Sequence, residues 1–239
     1  MSSDGKGALY LLPNTLGDSA PDAVIPAAVL DRARSLDYFI AEDPKSARAF
    51  LKRIGGTRPL QGIRIARLDH NTRADDIASL LEPVLAGRDA GLLSEAGLPA
   101  IADPGATLVR IAHDRGVRVV PLSGPSSILL ALCASGLEGQ RFAFHGYLPV
   151  SEAELVTTLT ELERHSRRLE QTQIFIETPY RNERTLRVVL RALASDTLVC
   201  VATDLTLASE SVRTRTVAAW RKQPPQLRGR PTVFLFLAC

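Results

Sequence analysis

The strongest constraint on the fold is an alternation of short apolar runs with segments of helical period. In the first half of the chain the apolar runs stand at 8–12, 37–41, 63–68, 90–94 and 117–122, each bounded by turn-forming residues. Runs of this length are typical of strands buried in a parallel sheet. The alternation therefore predicts an open α/β sheet with helices between its strands.

Helical periodicity fills the intervals between these runs. Apolar residues recur at helical spacing in 47–54, 77–84 and 108–112, and another helix begins near Pro125. Gly55 stands where a helix C-cap belongs. Pro83 lies inside the second helical segment, so we expect it to bend or shorten that helix.

The character of the chain changes after residues 142–150. A helix with Leu155, Leu159 and Leu162 on one face follows, and then come strand-like runs at 174–177, 198–203, 211–217 and 232–237. We predict an N-terminal α/β domain with a parallel sheet over 1–148 and a C-terminal α/β domain with a mixed sheet over 149–239.

Composition excludes several classes of protein. Hydrophobic residues make up 45% and charged residues 23% of 239 residues, as in globular proteins. The sequence shows neither an apolar run of the roughly 20 residues that span a bilayer nor a secretion signal. Its cysteines (Cys133, Cys200, Cys239) and four histidines are scattered, so we expect no metal site and no disulfide, and a cytoplasmic location.

The net charge of +3 lies in the second part of the chain. After Glu210 there is no acidic residue, and the basic residues there are Arg213, Arg215, Arg221, Lys222, Arg228 and Arg230. Such a stretch could bind a polyanion such as RNA. A solvated charged face is the interpretation we favour from the residues alone.

Three loops are candidates for a ligand site. The sequence has no P-loop, no dinucleotide fingerprint and no GxSxG motif, so any cofactor is held by other means. The candidate loops are PNTLGD (13–18), SEAGLPAIADPG (94–105) and SGPSS (123–127), which follow the first, fourth and fifth predicted strands. Each alone is also explained as an ordinary turn or helix cap. Because ligands collect beyond the C-terminal ends of parallel strands, the three together favour a ligand crevice.

Several motifs resemble one family in their order and spacing. ALYLLPNTLGD, FIAED, GLLSEAGLPAIADPG, VRVVPLSGPSS, RFAFHGYLP, IFIETPYR and VATDLT resemble the tetrapyrrole (corrin/porphyrin) methylase superfamily, from about Ala8 to Phe236. Within it the chain is most similar to the ribosomal small-subunit methyltransferase I branch, which methylates a ribose 2′-hydroxyl. The resemblance implies two α/β domains with a cleft between them for S-adenosylmethionine (SAM), in a homodimer.

The resemblance also implies site residues. Those expected to bind the cofactor are Leu16, Gly17, Asp18, Ser94, Ala96, Gly97, Leu98, Ile101, Ser126, Ser127, Tyr147, Glu177 and Thr203. The branch has Pro-Thr-Pro-Ile-Gly-Asn where this chain reads PNTLGD, Asp-Ala-Gly-Thr-Pro where it reads EAGLP, and Ala-Glu-Asp-Thr-Arg where it reads AEDPK. Its members also continue beyond the last strand. These departures favour a sister group with its own acceptor.

The sequence also offers candidates for a catalytic base. A hydroxyl or amine acceptor needs one, and the loop carboxylates Glu95, Asp103, Asp18, Glu177, Glu42 and Asp43 are candidates. For each one, a carboxylate that binds backbone N–H groups is the alternative. We take Glu95 first, because it follows a strand end directly. Arg181 could hold a phosphate-bearing acceptor.

Three functions stay open at this point. The first is a SAM-dependent methyltransferase of RNA, and the second is one of a small, tetrapyrrole-like molecule. The third is a SAM-binding module without catalysis.

Overall fold

The computed structural model describes residues 5–56 and 59–238, which divide into two compact units between Ser126 and Ser127. The strands of the first unit are β1 (Ala8–Leu12), β2 (Tyr38–Ala41), β3 (Arg64–Arg67), β4 (Ala90–Leu93) and β5 (Arg118–Pro121). They form a five-stranded sheet in the order β3-β2-β4-β1-β5, and every pair is parallel. The parallel sheet predicted from the apolar runs is therefore confirmed.

Helices cover both faces of this sheet. They are α1 (Pro21–Val24), α2 (Ala27–Ser35), α3 (Pro44–Ile54), α4 (Ala74–Ser79), α5 (Glu82–Leu85) and α6 (Gly105–Asp114), with a 3-10 turn at Leu60–Gly62. On one face Phe39 of β2 packs in a cluster with Phe50 and Leu51 of α3. On the other, Ile40 packs in a cluster that includes Leu81 and Leu108. Burial on both faces explains why the strands read as continuous apolar runs.

The helices begin and end where the sequence predicts. Asp43 caps α3 by accepting hydrogen bonds from the N–H groups of Lys45 (3.0 Å) and Ser46 (3.1 Å). Gly55 ends the helix with a φ of 66°, as its predicted role at the C-cap requires. The segment around Pro83 is split into α4 and α5, so the expected shortening is confirmed.

The second unit contains a mixed sheet. Its strands are β6 (Phe142–Tyr147), β7 (Thr172–Glu177), β8 (Leu198–Thr203), β9 (Ser211–Thr216) and β10 (Thr232–Leu237). Their order is β6-β7-β10-β8-β9, where β6 pairs with β7 in parallel and the other pairs are antiparallel. The helices are α7 (Ser127–Ser135), α8 (Glu152–Leu169), α9 (Asn182–Ala192) and α10 (Val217–Lys222). The predicted leucine face of α8 is buried in a cluster with Phe175, Phe234 and Trp220.

The division between the units falls earlier than the predicted boundary at 148/149. Helix α7 packs against β8, β9 and β10, and the Thr214 hydroxyl donates to the Ser135 carbonyl at 2.6 Å. Strand β6 pairs with β7. These long-range contacts assign α7 and β6 to the second unit, whereas the sequence change at Pro149 marks only the start of the long helix α8.

Candidate functional site

The sheet order brings the three candidate loops together at one edge of the first unit. Strands β4, β1 and β5 are neighbours and run parallel, so the loops at 13–20, 94–104 and 122–126 all leave the same edge. This edge, beyond the C-terminal ends of the strands, is where ligands bind in open α/β sheets.

Asn14 joins the first two loops. It exchanges two main-chain hydrogen bonds with Gly97, from the Asn14 N–H to the Gly97 carbonyl (2.9 Å) and from the Gly97 N–H to the Asn14 carbonyl (3.2 Å). The Asn14 Nδ2 group donates to the carbonyls of Ser94 (3.2 Å) and Glu95 (3.0 Å), and its Oδ1 atom accepts from the Thr15 N–H (2.8 Å). With 6% of its surface exposed, this residue ties the end of β1 to the turn after β4.

Gly97 marks the point where all three loops meet. Its φ of 69° lies in the left-handed region, and a Cβ atom there would stand 3.2 Å from Leu16 Cδ2 and 3.4 Å from the Pro125 carbonyl oxygen. Gly124 is similarly close to the first loop, since its Cβ would overlap Pro13 Cβ at 2.2 Å. The backbone thus approaches its neighbours where a side chain would not fit.

The segment that follows is held by Asp103. Its Oδ1 atom accepts hydrogen bonds from the N–H groups of Ala100 and Gly105, both at 2.8 Å. Ala100 (φ 65°) and Ala102 (φ 58°) adopt left-handed conformations that are unusual for alanine. Burial raises the pKa of the Asp103 carboxyl above its ordinary value, although the two N–H donors oppose the shift. Asp103 therefore holds this loop through its Oδ1 atom, as the structural alternative expects, and its role as a catalytic base stays a prediction.

Glu42 lies at the end of β2 beside these loops. Burial, followed by the charge of Glu95, raises the pKa of Glu42, while His70 lowers it with Nε2 at 3.5 Å from Glu42 Oε1. Hydrogen bonds from the Ser46 hydroxyl and from two N–H groups lower the pKa of Asp43, which is the α3 cap. Because Asp43 is engaged as the helix cap, Glu42 is the one of these two adjacent residues that remains a candidate acid or base.

The predicted residues of the first unit differ in exposure. Leu16, Gly17 and Leu98 are half-buried, and Ser94, Gly97 and Ser126 are buried. Asp18, Glu95, Ala96 and Ile101 are exposed, and Ile101 has 44% of its surface accessible. All of them lie on the three loops. Ser127 is the first residue of α7 and belongs to the second unit.

The remaining predicted residues share one edge of the second sheet. Tyr147, Glu177 and Thr203 end β6, β7 and β8, and Thr232 of β10 pairs with both Glu177 and Thr203. Tyr147 is 56% exposed, whereas Glu177 and Thr203 are buried. These three residues therefore lie on the same edge of their own sheet.

Glu177 and Arg181 bind each other. Arg181 Nη2 lies 2.6 Å and Nε 3.0 Å from Glu177 Oε1, and the side chains are 19% and 5% exposed. Glu177 Oε1 also accepts from the Thr178 N–H at 2.6 Å, and its Oε2 accepts from the Thr185 hydroxyl at 3.3 Å. Glu177 therefore occupies the Nε and Nη2 edge of the guanidinium, and phosphate binding by Arg181 stays a prediction.

Sequence reasoning missed Asn14, Thr15 and Arg53. The Thr15 hydroxyl donates to the Gly17 carbonyl at 2.7 Å, and Arg53 Nη2 of α3 donates to the Ser19 carbonyl at 2.5 Å, so both fix the first loop. The role of Asn14 could have been predicted from its position in a turn, because asparagine side chains often form hydrogen bonds with nearby backbone groups. No local sequence pattern predicts the contact of Arg53 with Ser19, which lies 34 positions earlier in the chain.

Residues 5–56 and 59–238 contain neither a cluster of metal-binding side chains nor a membrane-spanning helix. No group of three or more His, Cys, Asp or Glu side chains there is placed to hold a metal ion. None of the helices described is long and apolar enough to cross a bilayer.

Fold and site together define a class of enzyme, the methylases. Residues 22–219 match the family Tetrapyrrole (Corrin/Porphyrin) Methylases, and the chain belongs to this family. It is a methyltransferase.

Two relatives show which proteins of the family the chain is similar to. The chain is 34% identical over 212 residues to the ribosomal RNA small subunit methyltransferase I of Mesorhizobium japonicum, covering 89% of this chain and 68% of that protein. It is 31% identical over 237 residues to the protein of the same name from Escherichia coli O157:H7, covering 98% and 79%. The chain thus lies near the ribosomal RNA small subunit methyltransferase I proteins.

Solved structures confirm the fold. The methyltransferase CobJ superposes with a TM-score of 0.64 at 18% identity, over 98% of this chain and 95% of that one. The cobalt precorrin-4 methyltransferase CbiF gives a TM-score of 0.59 at 19% identity, over 96% and 94%. The predicted pair of α/β regions of the tetrapyrrole methylase type is confirmed.

Proposed function

We propose that this enzyme transfers a methyl group from SAM and holds the cofactor at the edge formed by the loops after β1, β4 and β5. The observation that carries the proposal is the meeting of these loops at Gly97, which stands close to both Leu16 and the Pro125 carbonyl. Backbone packed this closely forms a surface against which a flat or extended ligand can lie. Membership of a methylase family supports the same conclusion.

The residues present fit such a cofactor. Leu98 and Ile101 provide partly exposed apolar surface near the exposed residues Glu95 and Ala96. We further assign cofactor contacts to Gly17, Asp18, Ser94 and Ser126 at this edge, while the cofactor roles of Ser127, Tyr147, Glu177 and Thr203 stay predictions from the family resemblance. Bound SAM supplies a methyl group already activated by its sulfonium. The protein then needs mainly to align the acceptor, an effect that contributes about 7–11 kcal/mol in well-oriented reactions.

Glu95 is our proposed catalytic base. It lies two residues after the end of β4, on the second of the three loops. Its side chain is exposed, and its charge contributes to the raised pKa of Glu42. Of the other carboxylates at this edge, Asp43 and Asp103 bind backbone N–H groups, and Glu42 lies 3.5 Å from His70 Nε2. A free carboxylate at this position can accept the proton of a hydroxyl as the methyl arrives.

We propose an RNA ribose 2′-hydroxyl as the acceptor. The relatives at 31–34% identity carry names that specify small-subunit ribosomal RNA. Arg213, Lys222 and Arg228 of the basic stretch have no hydrogen bond or ion pair to the part of the chain that the structure describes, so they are available for phosphates.

A small tetrapyrrole-like acceptor is the second candidate. The structures with the same fold are named as enzymes of cobalamin or porphyrin chemistry. In addition, the formal charge over residues 1–150 is balanced, with 16 basic and 16 acidic side chains, so this half offers no general attraction for a polyanion.

We also propose a cytoplasmic homodimer. Helix α7 exposes Leu129 (48%) and Leu130 (38%) together with Cys133, an apolar surface that a second copy would cover. Sedimentation velocity that gives a monomer at micromolar concentration would contradict this.

The function is tested in two steps. Calorimetry with SAM and with S-adenosylhomocysteine should show binding of both, and absence of binding would overturn the cofactor proposal. Tritiated-methyl transfer should then be measured on small ribosomal subunits and on fractionated extract from a deletion strain. Label in ribosomal RNA supports the first acceptor, and label only in the small-molecule fraction supports the second. The slope of RNA affinity against salt concentration provides an independent check.

A further inference from the structure

The loop between β7 and α9 exposes an aromatic ring. Tyr180 has 78% of its surface accessible. The guanidinium carbon of Arg181 lies 5.7 Å from the centre of the Tyr180 ring. Because Arg181 is bound through Nη2 and Nε to the buried Glu177, it is a fixed neighbour of this ring. A tyrosine that faces solvent beside a fixed guanidinium offers a surface on which another flat group can stack.

Hydrogen bonds hold this loop in place on both sides of the ring. The Gly229 N–H donates to the Pro179 carbonyl at 3.2 Å, directly before Tyr180. On the other side the buried Asn182 donates from Nδ2 to the Arg230 carbonyl at 2.6 Å. Since the main chain around Tyr180 is already ordered, a ligand that stacks on the ring has a smaller entropy cost to overcome.

Three arginines follow the ring along the exposed face of α9. Arg184, Arg187 and Arg191 are exposed, whereas Leu186 on the opposite face is buried. Spacings of three and then four residues place the arginines on one stripe of the helix, with rises of about 4.5 and 6 Å between them. This arginine row (Arg184, Arg187 and Arg191) begins four positions after Tyr180 in the sequence.

Little of the charge of the arginine row is neutralised. Arg191 Nη2 lies 2.6 Å from Glu152 Oε1, whereas Arg184 and Arg187 form no hydrogen bond or ion pair with residues 5–56 and 59–238. The Arg191 hydrogen bond and charge lower the pKa of Glu152, and the charges of Arg184 and Arg187 add to the shift, so all three guanidinium groups act at one place. Glu183 is the one acidic residue in the sequence of α9, which leaves this helix net positive.

We propose that Tyr180 and the arginine row form a surface that binds single-stranded RNA, with a base stacked on Tyr180 and phosphates bound by Arg184 and Arg187. This inference rests on the proposed function, because it names where the RNA acceptor is held. Arginine suits phosphates, and an exposed aromatic ring suits an unstacked base. In an RNA duplex the bases stack on one another and the narrow major groove excludes side chains, so a duplex could use the arginines but not the ring.

The role of the ring is tested with two polyanions. The probes are a fluorescein-labelled single-stranded oligoadenylate of about 12 nucleotides and labelled heparin, which is anionic but has no bases. Fluorescence anisotropy should show RNA affinity about tenfold weaker in Tyr180→Ala and within about threefold of the wild type in Tyr180→Phe. Heparin affinity should be the same in both variants. Phe142→Ala is the matched control, because Phe142 is a 39% exposed ring that begins β6, at the opposite edge of the same sheet.

The role of the arginines is tested by the dependence of RNA affinity on salt concentration. The double variant Arg184→Gln, Arg187→Gln should lower the slope of log affinity against log salt by about 1.4, the value for two phosphates of a single strand. Arg110→Gln, Arg115→Gln is the matched control. Both of its residues are exposed at α6 in the first unit, so it removes the same charge elsewhere and should leave the slope unchanged.

The outcomes separate this inference from the proposed function, provided that calorimetry with S-adenosylhomocysteine accompanies each measurement. A wild type that binds S-adenosylhomocysteine but no RNA overturns the RNA acceptor and this surface, and leaves the cofactor proposal standing. A wild type that binds neither overturns the proposed function together with this inference. If the wild type binds both and the Tyr180 and arginine variants keep its RNA affinity, only this surface is overturned. If the arginine variant loses heparin and RNA alike while Tyr180→Ala loses neither, the surface binds polyanions or acidic proteins in general, and its assignment to single-stranded RNA is wrong.

Discussion

Asn14 and Gly97 form an antiparallel bridge outside any strand, with N···O distances of 2.9 and 3.2 Å. The bridge connects the loops after two neighbouring parallel strands, β1 and β4. It places a left-handed glycine at the meeting point of three loops, so the geometry of the proposed cofactor site depends on a few main-chain groups.

Gly97→Ala is expected to reduce both stability and cofactor affinity. A side chain at φ 69° costs about 1–2 kcal/mol, and here it also crowds Leu16 and Pro125. Gly136→Ala is the matched control, because Gly136 has a φ of 68° with nothing within 4 Å of the added Cβ. Both variants should melt earlier in calorimetric scans, and only Gly97→Ala should weaken S-adenosylhomocysteine. Equal affinities in the two variants would contradict the site.

Glu95→Gln should lower methyl transfer by about 100-fold or more, since general base catalysis typically contributes that much. The side chain is exposed, so melting temperature and SAM affinity should stay close to those of the wild type. Asp18→Asn, at another exposed carboxylate of the same edge, is the comparison, because a cofactor contact there should weaken SAM affinity and leave turnover at saturating SAM unchanged. Full turnover in Glu95→Gln would remove the assignment, and a loss confined to Asp18→Asn would transfer it.

Asp103→Ala should destabilise the protein by about 1–3 kcal/mol, because it leaves the N–H groups of Ala100 and Gly105 without their acceptor. Asp103→Asn retains an acceptor oxygen and avoids burying a charge, so we expect it to stay within about 1 kcal/mol of the wild type at neutral pH. Urea unfolding at pH 7 measures both. Similar losses in the two variants would show that the charge itself is required.

Glu42→Gln tests the raised pKa of Glu42. The folded state holds this proton more tightly than the unfolded chain, so the carboxyl lowers stability as the pH rises from its ordinary value of 4.5 through the folded value. Because the side chain is 30% exposed, we expect the variant to be more stable at pH 7 by less than about 1 kcal/mol. The gain should vanish near pH 4 in thermal scans, and a gain of equal size at both pH values would contradict this cause.

Arg221→Ala and Arg213→Ala distinguish a structural role from an RNA-binding role for the arginines of the basic stretch. Arg221 binds the Leu190 (2.6 Å) and Leu193 (3.1 Å) carbonyls at the end of α9, so its loss should cost about 1–3 kcal/mol of stability. Arg213 is exposed on the edge strand β9, and its replacement should change stability by no more than about 0.5 kcal/mol while weakening RNA binding. Unaltered RNA affinity in Arg213→Ala would favour the small-molecule acceptor.

The sequence predicted the elements of this fold because their signals are local. Strand β1 was predicted at 8–12 and is observed at Ala8–Leu12, because a short apolar run that ends at a proline is typical of a buried strand. The cap at Gly55 and the break at Pro83 follow equally from single residues. Parallel strands then imply that the loops after them share an edge, so the pattern of strands predicts that the three candidate loops lie together.

Tertiary structure decided which polar groups are available at that edge. Asn14 meets the carbonyls of Ser94 and Glu95 from 80 and 81 positions away, and no local pattern encodes such a pair. The same holds for Arg221, which caps α9, and for Arg230, which binds Asp204 at 2.8 Å, although both appeared in the sequence as members of one basic stretch. Periodicity records which face of an element is buried, whereas the pairing of a buried polar group depends on what the rest of the chain brings beside it.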